Sequence, residues 1–408
     1  MRICVVGSGG REHALANVLG RTAEVLVTPG NAGIKESISS PPEEVEADLF
    51  VIGPEVPLVQ GLADQLRSKG KLVFGPGADG ARLEGSKAWM KDLLVEAGIN
   101  TARHKTFFDQ KSASSFLDEL SDLYVIKTDG LAAGKGVLVT NDRSEADDAV
   151  ESYLSGDAFG DAGKKIIIEE GLSGPEISIL AVCDGTTAVS LAPAQDFKRL
   201  LDKDMGPNTG GMGAYSPVPL VDESLVDEIM ETAVLPTLRI LQKKGINYRG
   251  ILYCGLMLTP EGPKVLEYNV RFGDPEAQVV LPRLATDLAE LLFSAASGSI
   301  HSVPKFTEKV AVTVVCASEL YPASPRLGDL INGLEEAETI AGINIFYAGV
   351  KASNRGLVTN GGRVLTVTGM ESDLKTARNL TYEAVRHISW PGMYCRSDIA
   401  SDLVLEKN

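Results

Sequence analysis

The residues best suited to chemistry stand in one short stretch, KVLEYNVRFGDPE, at residues 264–276. Its first half alternates in the period of a β-strand, where side chains i, i+2 and i+4 share a face. Leu266, Tyr268, Val270 and Phe272 are expected to point into a core. Glu267, Asn269 and Arg271 then stand side by side on the other face. A carboxylate, an amide oxygen and a guanidinium in one row suit a site that holds Mg²⁺ beside phosphate. Mg²⁺ takes hard oxygen ligands and draws most of its shell from phosphate and water, and arginine meets phosphate or carboxylate with a planar fork. Asp274, in the Gly273-Asp274-Pro275 turn, brings a second carboxylate close. An ordinary half-exposed strand would show the same alternation, and only the rest of the chain separates the two readings.

The elements that must position this row begin at the N-terminus. Apolar runs at 3–6, 25–28, 48–53 and 71–74 alternate with helical spacing at 11–19, each run followed by a Gly- or Pro-containing turn. This is a βαβ series, the pattern of a doubly wound parallel sheet. The first turn, Gly7-Ser8-Gly9-Gly10, is not a dinucleotide fingerprint. Glu12 stands where the third glycine is needed, and the second strand ends in Thr28-Pro29-Gly30-Asn31 instead of an acid. Gly-rich backbone at a helix N-terminus can still take a phosphate, and the turns at Gly30–Gly33 and Gly53–Glu55 lie at strand ends, where open α/β sheets bind ligands. Each turn alone is equally well a tight connection. Residues 86–97 read as an amphipathic helix stopped by Gly98, which puts a domain boundary near residue 100. Lys87 on this helix could face a phosphate, although a lone helix lysine is more often solvated.

Next, 124–127 and 137–140 read as strands around the loop Thr128 to Gly136. Small residues here let the backbone close over phosphates, and Lys127 and Lys135 add charge. Three residues separate the glycine from Gly-Lys and a strand follows, so this is not a Walker A loop. Residues 164–183 read as two strands and a turn, most simply a hairpin; such an edge could also receive an adenine, with Glu176 on ribose hydroxyls. Residues 195–217 form a long Gly-rich polar loop, and loops of this length inside a domain tend to be functional. A helix over 223–244, kinked near Pro236, and a strand over 248–258 without a carboxylate complete this region. Beyond about residue 302, strands at 310–316, 345–350 and 364–367 and a helix at 372–388 show no catalytic constellation and suggest a domain that buttresses the site.

At 408 residues the chain exceeds one core and should divide into two to four domains. The boundaries expected are 1–100, 101–302 with a small lid at about 121–187, and 303–408. Apolar content of 44% is that of a soluble protein, and no apolar run reaches the ~20 residues of a membrane span. The five cysteines are scattered and form no CxxC, as expected of reduced core residues in a cytoplasmic protein, and the four scattered histidines make zinc unlikely. The N-terminus starts a strand at once, without a signal-peptide layout. A net charge of −16 argues against nucleic acid as a partner but not against small phosphorylated ligands.

The motifs GSGGREHA at 7–14, PGNAG at 29–33, LEGSKAWMK at 83–91, KTDGLAAGKG at 127–136, AFGDAGKKIIIEE at 158–170, DKDMGPNTGGMGAYSP at 202–217 and NVRFGDPE at 269–276 together resemble the phosphoribosylamine–glycine ligase (glycinamide ribonucleotide synthetase) family of the ATP-grasp superfamily. The resemblance runs the length of the chain, and GPNTGGMGAYSP with RFGDPE is its most specific part. It implies an N-terminal Rossmann-like domain, an ATP-grasp domain with a lid, and a C-terminal mixed β/α domain. It also implies ligation of glycine to 5-phospho-β-D-ribosylamine with ATP, through a glycyl phosphate, in de novo purine biosynthesis. By matching position, Lys87, Lys127, Gly130, Gly134, Lys135 and Gly136 would cover ATP, Glu169, Glu170 and Leu172 would form the adenine hinge, and Glu176 would hold ribose. Glu267 and Asn269 would bind Mg²⁺ (or Mn²⁺). Arg271, Asp274 and Lys135 would serve the transfer itself. Gly9, Gly10, Asn31 and Glu55, with Pro207, Asn208, Thr209, Gly210, Gly211, Met212 and Gly213, would face the phosphoribosylamine. Thr128, Phe197 and Tyr268 depart from the family's usual alanine, histidine and phenylalanine; the first and last are expected to be harmless. A cytoplasmic monomer acting on small molecules is expected, and because the sequence ends at Asn408, soon after its last predicted element, no further catalytic domain is expected. Another ATP-grasp carboxylate–amine ligase or carboxylase would share the ATP and metal residues but not the N-terminal turns with GPNTGGMGAYSP. A non-catalytic nucleotide-binding regulator would be expected to lose Glu267, Asn269, Arg271 or Lys135.

Overall fold

A computed structural model of the chain describes residues 1–131, 136–156 and 163–401. The N-terminal sheet is parallel, in the order Glu24–Pro29, Arg2–Gly7, Leu49–Ile52, Val73–Phe74. Of its two inner strands, Leu49–Ile52 is apolar and buried throughout and Arg2–Gly7 is so beyond Arg2, because both faces are covered, as parallel sheets require. Helix Gly10–Leu19 follows the first strand, and helix Lys87–Glu96 starts at Ser86, whose hydroxyl accepts from the Trp89 amide.

Two antiparallel sheets face each other beyond it. One has the order His104–Phe107, Ile166–Glu170, Tyr124–Thr128, Val137–Thr140; the other has Ala188–Ser190, Glu176–Asp184, Arg249–Thr259, Gly262–Asn269. The hairpin expected over 164–183 does not form. Ile166–Glu170 and Glu176–Asp184 belong to different sheets, and the Gly-Leu-Ser-Gly connector crosses between them. Pairing on both sides buries Ile166, Ile167 and Ile168 fully, which a two-stranded hairpin could not do.

The segment 195–217 is also more ordered than a loop. Arg199–Leu201 and Met205–Asn208 make a short ribbon, while Gln195–Asp196 and Gly213–Ser216 join the C-terminal sheet. That sheet runs Gln195–Asp196, Gly213–Ser216, Val310–Ala317, Arg363–Glu371, Ile343–Tyr347, so it is built from chain on both sides of residue 302. The strand expected at 345–350 divides into Ile343–Tyr347 and Val350–Ser353. Helix Leu374–His387 packs across the sheet, capped by Asp373. The helix expected over 223–244 is interrupted by a π-turn at Met230–Val234, after which Pro236 sits in the first turn of helix Leu235–Lys243, where its missing N–H costs little.

The strand that carries the chemistry, Gly262–Asn269, holds a bulge. Gly255 faces Glu267 but Leu256 faces Val265, leaving Leu266 out of register. Val265 therefore takes the core position and Leu266 turns to a cavity, contrary to the simple alternation, while Tyr268, Val270 and Phe272 are buried as expected.

Candidate functional site

A cavity of about 1070 Å³ lies between the two antiparallel sheets. Most of the residues singled out from sequence line it: Glu55, Lys87, Lys127, Gly130, Gly136, Glu169, Glu170, Leu172, Glu176, Asn208, Thr209, Gly210, Glu267, Asn269, Arg271 and Asp274. Gly134 and Lys135 lie outside the described residues. The row of polar groups here follows from regular alternation on one side of the bulge. Below it, Glu267 and Asn269 alternate with Tyr268 and point into the cavity, and the backbone of Arg271 then leaves the sheet.

Charges in this cavity are paired rather than free. Glu169 is buried, with Lys127 at 2.8 Å and Lys91 at 2.9 Å. Its side chain thus serves two lysines and not a base. The Glu170 carboxylate accepts from the Arg103 amide. Lys87 donates to the Gly130 carbonyl at 2.8 Å and holds the start of the Gly-rich loop. Lys198 pairs with Glu176 and lies 3.7 Å from Glu267. Burial alone would raise the pKa of Glu267, but Lys198, Lys127, Lys87 and Arg271 hold it down to about 2. Asp196, next to this group, is pushed well up by burial despite Lys198.

Arg271 is clamped. Its guanidinium meets Glu84 at 2.8 Å and Glu55 at 3.5 Å, and the Asn269 amide oxygen at 3.4 Å. Glu84 uses its other oxygen on the Val270 amide at 2.9 Å. Burial would lower the arginine's pKa, but Glu84 and Glu55 raise it, so it stays charged.

The ionised Glu267 and the Asn269 amide oxygen are hard donors on one strand face and fit a Mg²⁺-class ion. Among the described residues no three His, Cys, Asp or Glu side chains are grouped to hold a metal, so phosphate and water would complete its shell.

A second cavity, of about 510 Å³, lies where the N-terminal and C-terminal sheets meet. Gly9 and Asn31 line it, with Lys351 and Thr366 from the far side. It shares Asp274 and Arg363 with the larger cavity. The Arg363 guanidinium donates to the carbonyls of Asp274 (2.6 Å) and Gly210 (2.5 Å) and lies 3.1 Å from the Asp274 carboxylate. The C-terminal sheet is therefore part of the site and not only a buttress.

Several expected residues turn out to shape the fold. Gly10 packs where an added Cβ would come within 2.9 Å of Gln278. Gly211, at φ +105°, has no room beside Pro275, and Met212 is fully buried. Gly213 lies in a strand 2.7 Å (from an added Cβ) from the Thr313 carbonyl. Pro207, in the ribbon, lines neither cavity. Glu55 faces the larger cavity instead of the sugar-sized one. At the first turn, the Gly9 amide donates to Glu12 (2.6 Å), which also takes Arg11 at 2.5 Å. The residue that breaks the dinucleotide pattern thus occupies an amide a phosphate could have used.

Family models for phosphoribosylglycinamide synthetase match almost the whole chain: its N domain at 1–84, its ATP-grasp (A) domain at 85–277 and its C domain at 311–402. The chain belongs to the phosphoribosylglycinamide synthetase family. A phosphoribosylamine–glycine ligase of Rhodopirellula baltica is 43% identical over 98% of this chain and 97% of its own. The trifunctional purine biosynthetic protein adenosine-3 of Gallus gallus is 46% identical over 98% of this chain but 42% of its own length. The crystal structure of phosphoribosylamine–glycine ligase from Thermotoga maritima superposes with a TM-score of 0.87 at 35% identity, covering 98% of this chain and 100% of that one. A biotin carboxylase from Campylobacter jejuni, 15% identical with a TM-score of 0.72 over 97% of this chain and 92% of its own, shares the fold.

In this member of the phosphoribosylglycinamide synthetase family, sequence reasoning gave no role to Glu84, Lys91, Asp196, Lys198, Lys351 or Arg363. None sits at a motif-like spacing from the Glu267 row. Signals were available for two of them: Glu84 and Lys91 lie inside the quoted motif at 83–91, and Lys91 repeats Lys87 one helical turn on. Phe197 lines the larger cavity with the Arg396 guanidinium over its ring at 5.0 Å. The Tyr268 hydroxyl, expected to be inconsequential, bonds to Thr237 (2.7 Å) and to the Ala233 carbonyl (3.1 Å) within the π-turn.

Proposed function

We propose that this chain ligates glycine to 5-phospho-β-D-ribosylamine at the expense of ATP, yielding N1-(5-phospho-β-D-ribosyl)glycinamide, ADP and phosphate, a step of de novo purine biosynthesis. The observation that carries the reading is the shared wall. A nucleotide-sized cavity and a smaller one meet at Asp274 and Arg363, so two ligands bound in them would present their reacting ends to each other. ATP takes the larger cavity, its base near Glu170 and Leu172, its ribose near Glu176, and its phosphates toward Lys87 and Lys127. The phosphosugar takes the smaller one, with Gly9, Asn31, Lys351 and Arg363 around it.

A carboxylate is a poor electrophile, and phosphorylation gives it a leaving group. A glycine carboxylate oxygen displaces ADP from the γ-phosphorus, forming glycyl phosphate. The ribosylamine nitrogen then bonds to the glycyl carbon, phosphate departs with its bridging oxygen, and the nitrogen loses a proton. The protein's part is positioning and charge neutralisation. Arg271, held by Glu84 and Glu55, presents a fixed fork to the transferring phosphoryl group. Asp274, kept ionised against its burial by Arg363 and Arg11, faces the incoming amine. Asn208, Thr209 and Gly210 close the glycine side. Glu267 and Asn269 would hold Mg²⁺ or Mn²⁺, which supplies positive charge to the phosphate oxygens.

The same reading makes the chain a cytoplasmic monomer that handles small molecules alone. The test is ADP release with ATP, Mg²⁺, glycine and phosphoribosylamine made in situ from ribose 5-phosphate and ammonia. ADP formation that requires both glycine and the sugar amine is expected. Turnover indifferent to glycine but dependent on another carboxylate would overturn the reading.

A further inference from the structure

Lys91 is fully buried, yet it lies one helical turn beyond Lys87 on a helix that borders the larger cavity. Its ammonium donates to Glu169 (2.9 Å) and to the Thr101 hydroxyl (2.7 Å), which itself donates to the Val265 carbonyl (2.6 Å). The second oxygen of Glu169 holds Lys127 (2.8 Å), whose ammonium lies 3.5 Å from the Leu266 carbonyl. One chain of polar contacts thus joins helix Lys87–Glu96, the sheet strands Tyr124–Thr128 and Ile166–Glu170, and the bulge beside Glu267. A buried ion in such a chain is costly unless every partner is present, and of the three ions Lys127 and Glu169 border the cavity while Lys91 does not.

We propose that Lys91 is a positioning residue for nucleotide binding: by sharing Glu169, it keeps Lys127 from being locked into a closed pair and leaves the Lys127 ammonium available to a polyphosphate. Glu169 carries one negative charge. With Lys91 present that charge is divided between two ammonium groups; without it, Lys127 neutralises Glu169 alone and is worth less to a ligand phosphate. The charged groups facing Lys91 are Glu169, Lys127 and, farther off, Glu267; burial opposes its charge and brings its pKa to about 8, Glu169 raising it and Lys127 lowering it. The share Lys91 takes therefore falls as pH rises past 8.

This inference rests on placing ATP in the larger cavity, and binding of Mg·ATP to the wild-type chain by calorimetry tests that placement first. Given wild-type binding, Lys91→Met is expected to raise the Kd for Mg·ATP about ten-fold, the scale of one charged hydrogen bond. The double variant Lys91→Met/Glu169→Gln should recover most of the loss, because Lys127 is released. Wild-type Kd should rise between pH 7 and 9, while that of Lys91→Met stays flat. A merely structural Lys91 predicts a wild-type Kd that does not change between pH 7 and 9. An unchanged Kd in Lys91→Met, or no recovery in a folded double variant, would overturn the proposal, whereas failure of the wild type to bind Mg·ATP would overturn the placement instead.

Discussion

The seam between the N-terminal and C-terminal sheets should be acid-sensitive through one residue, His13. The Tyr347 amide donates to its Nδ1 (2.9 Å), its ring stacks on that of Tyr347 with centroids 5.6 Å apart, and Phe346 meets it edge-on. The accepting nitrogen must be unprotonated, and burial lowers the pKa from 6.5 to about 4. Between those values the unfolded chain binds a proton that the folded one refuses. Stability from this site is therefore whole above pH 6.5 and drains away as the pH falls toward 4. From pH 7.5 to pH 5 the loss is about 2 kcal/mol by that linkage. For a chain of 408 residues, unfolding entropy near 0.9 kcal/mol per degree turns this into roughly 2 °C of thermal midpoint if the chain melts as one unit, and more if the seam opens separately. The assay is calorimetry of wild type and His13→Asn at both pH values. The amide oxygen of asparagine can accept the Tyr347 N–H but does not titrate, so the variant should start lower at pH 7.5 and close the gap by pH 5. Parallel pH dependence in the two proteins would refute the reasoning. The consequence reaches the site, because Tyr347 also accepts from Asn31 (3.0 Å) at the rim of the smaller cavity.

Three further outcomes are expected. Glu267→Ala should cut turnover about a thousandfold, of the order seen when a transition-state electrostatic contact is lost, and should weaken Mn²⁺ binding read by electron paramagnetic resonance; a normal rate at ordinary Mg²⁺ would refute the metal assignment. Arg271→Lys should lower kcat about a hundredfold or more, because a point charge cannot serve Glu84, Glu55 and a phosphoryl group together; a near-normal kcat in steady-state kinetics counts against the clamp. Tyr268→Phe should cost about 1 kcal/mol by urea denaturation, since it strips a buried hydrogen bond from Thr237 and the π-turn; an unchanged midpoint would mean that water or Thr237 alone satisfies the Ala233 carbonyl.

What the sequence determined by itself is local. Strand alternation placed Glu267 and Asn269 on one face, a helix over 86–97 stopped by Gly98 was readable from spacing, and the Gly-rich segment within 195–217 marked itself as special. These follow from the 2- and 3.6-residue periods and from turn chemistry, which act over a few residues. The family motifs added the order of the pieces. Tertiary structure alone decided which of them meet. No periodicity tells that the strands on either side of residue 172 enter different sheets, or that Gly213–Ser216 pairs with Val310–Ala317. A one-residue bulge moved Leu266 from core to cavity, because side-chain direction flips with register. Glu84 with Arg271, Lys91 with Glu169, and Arg363 with Asp274 are contacts across 187, 78 and 89 residues of chain. Each is a charge drawn out of water by the packing of distant elements, with a partner that offsets part of the cost of burial. Such pairing energy belongs to the folded geometry, so it leaves no trace in local spacing.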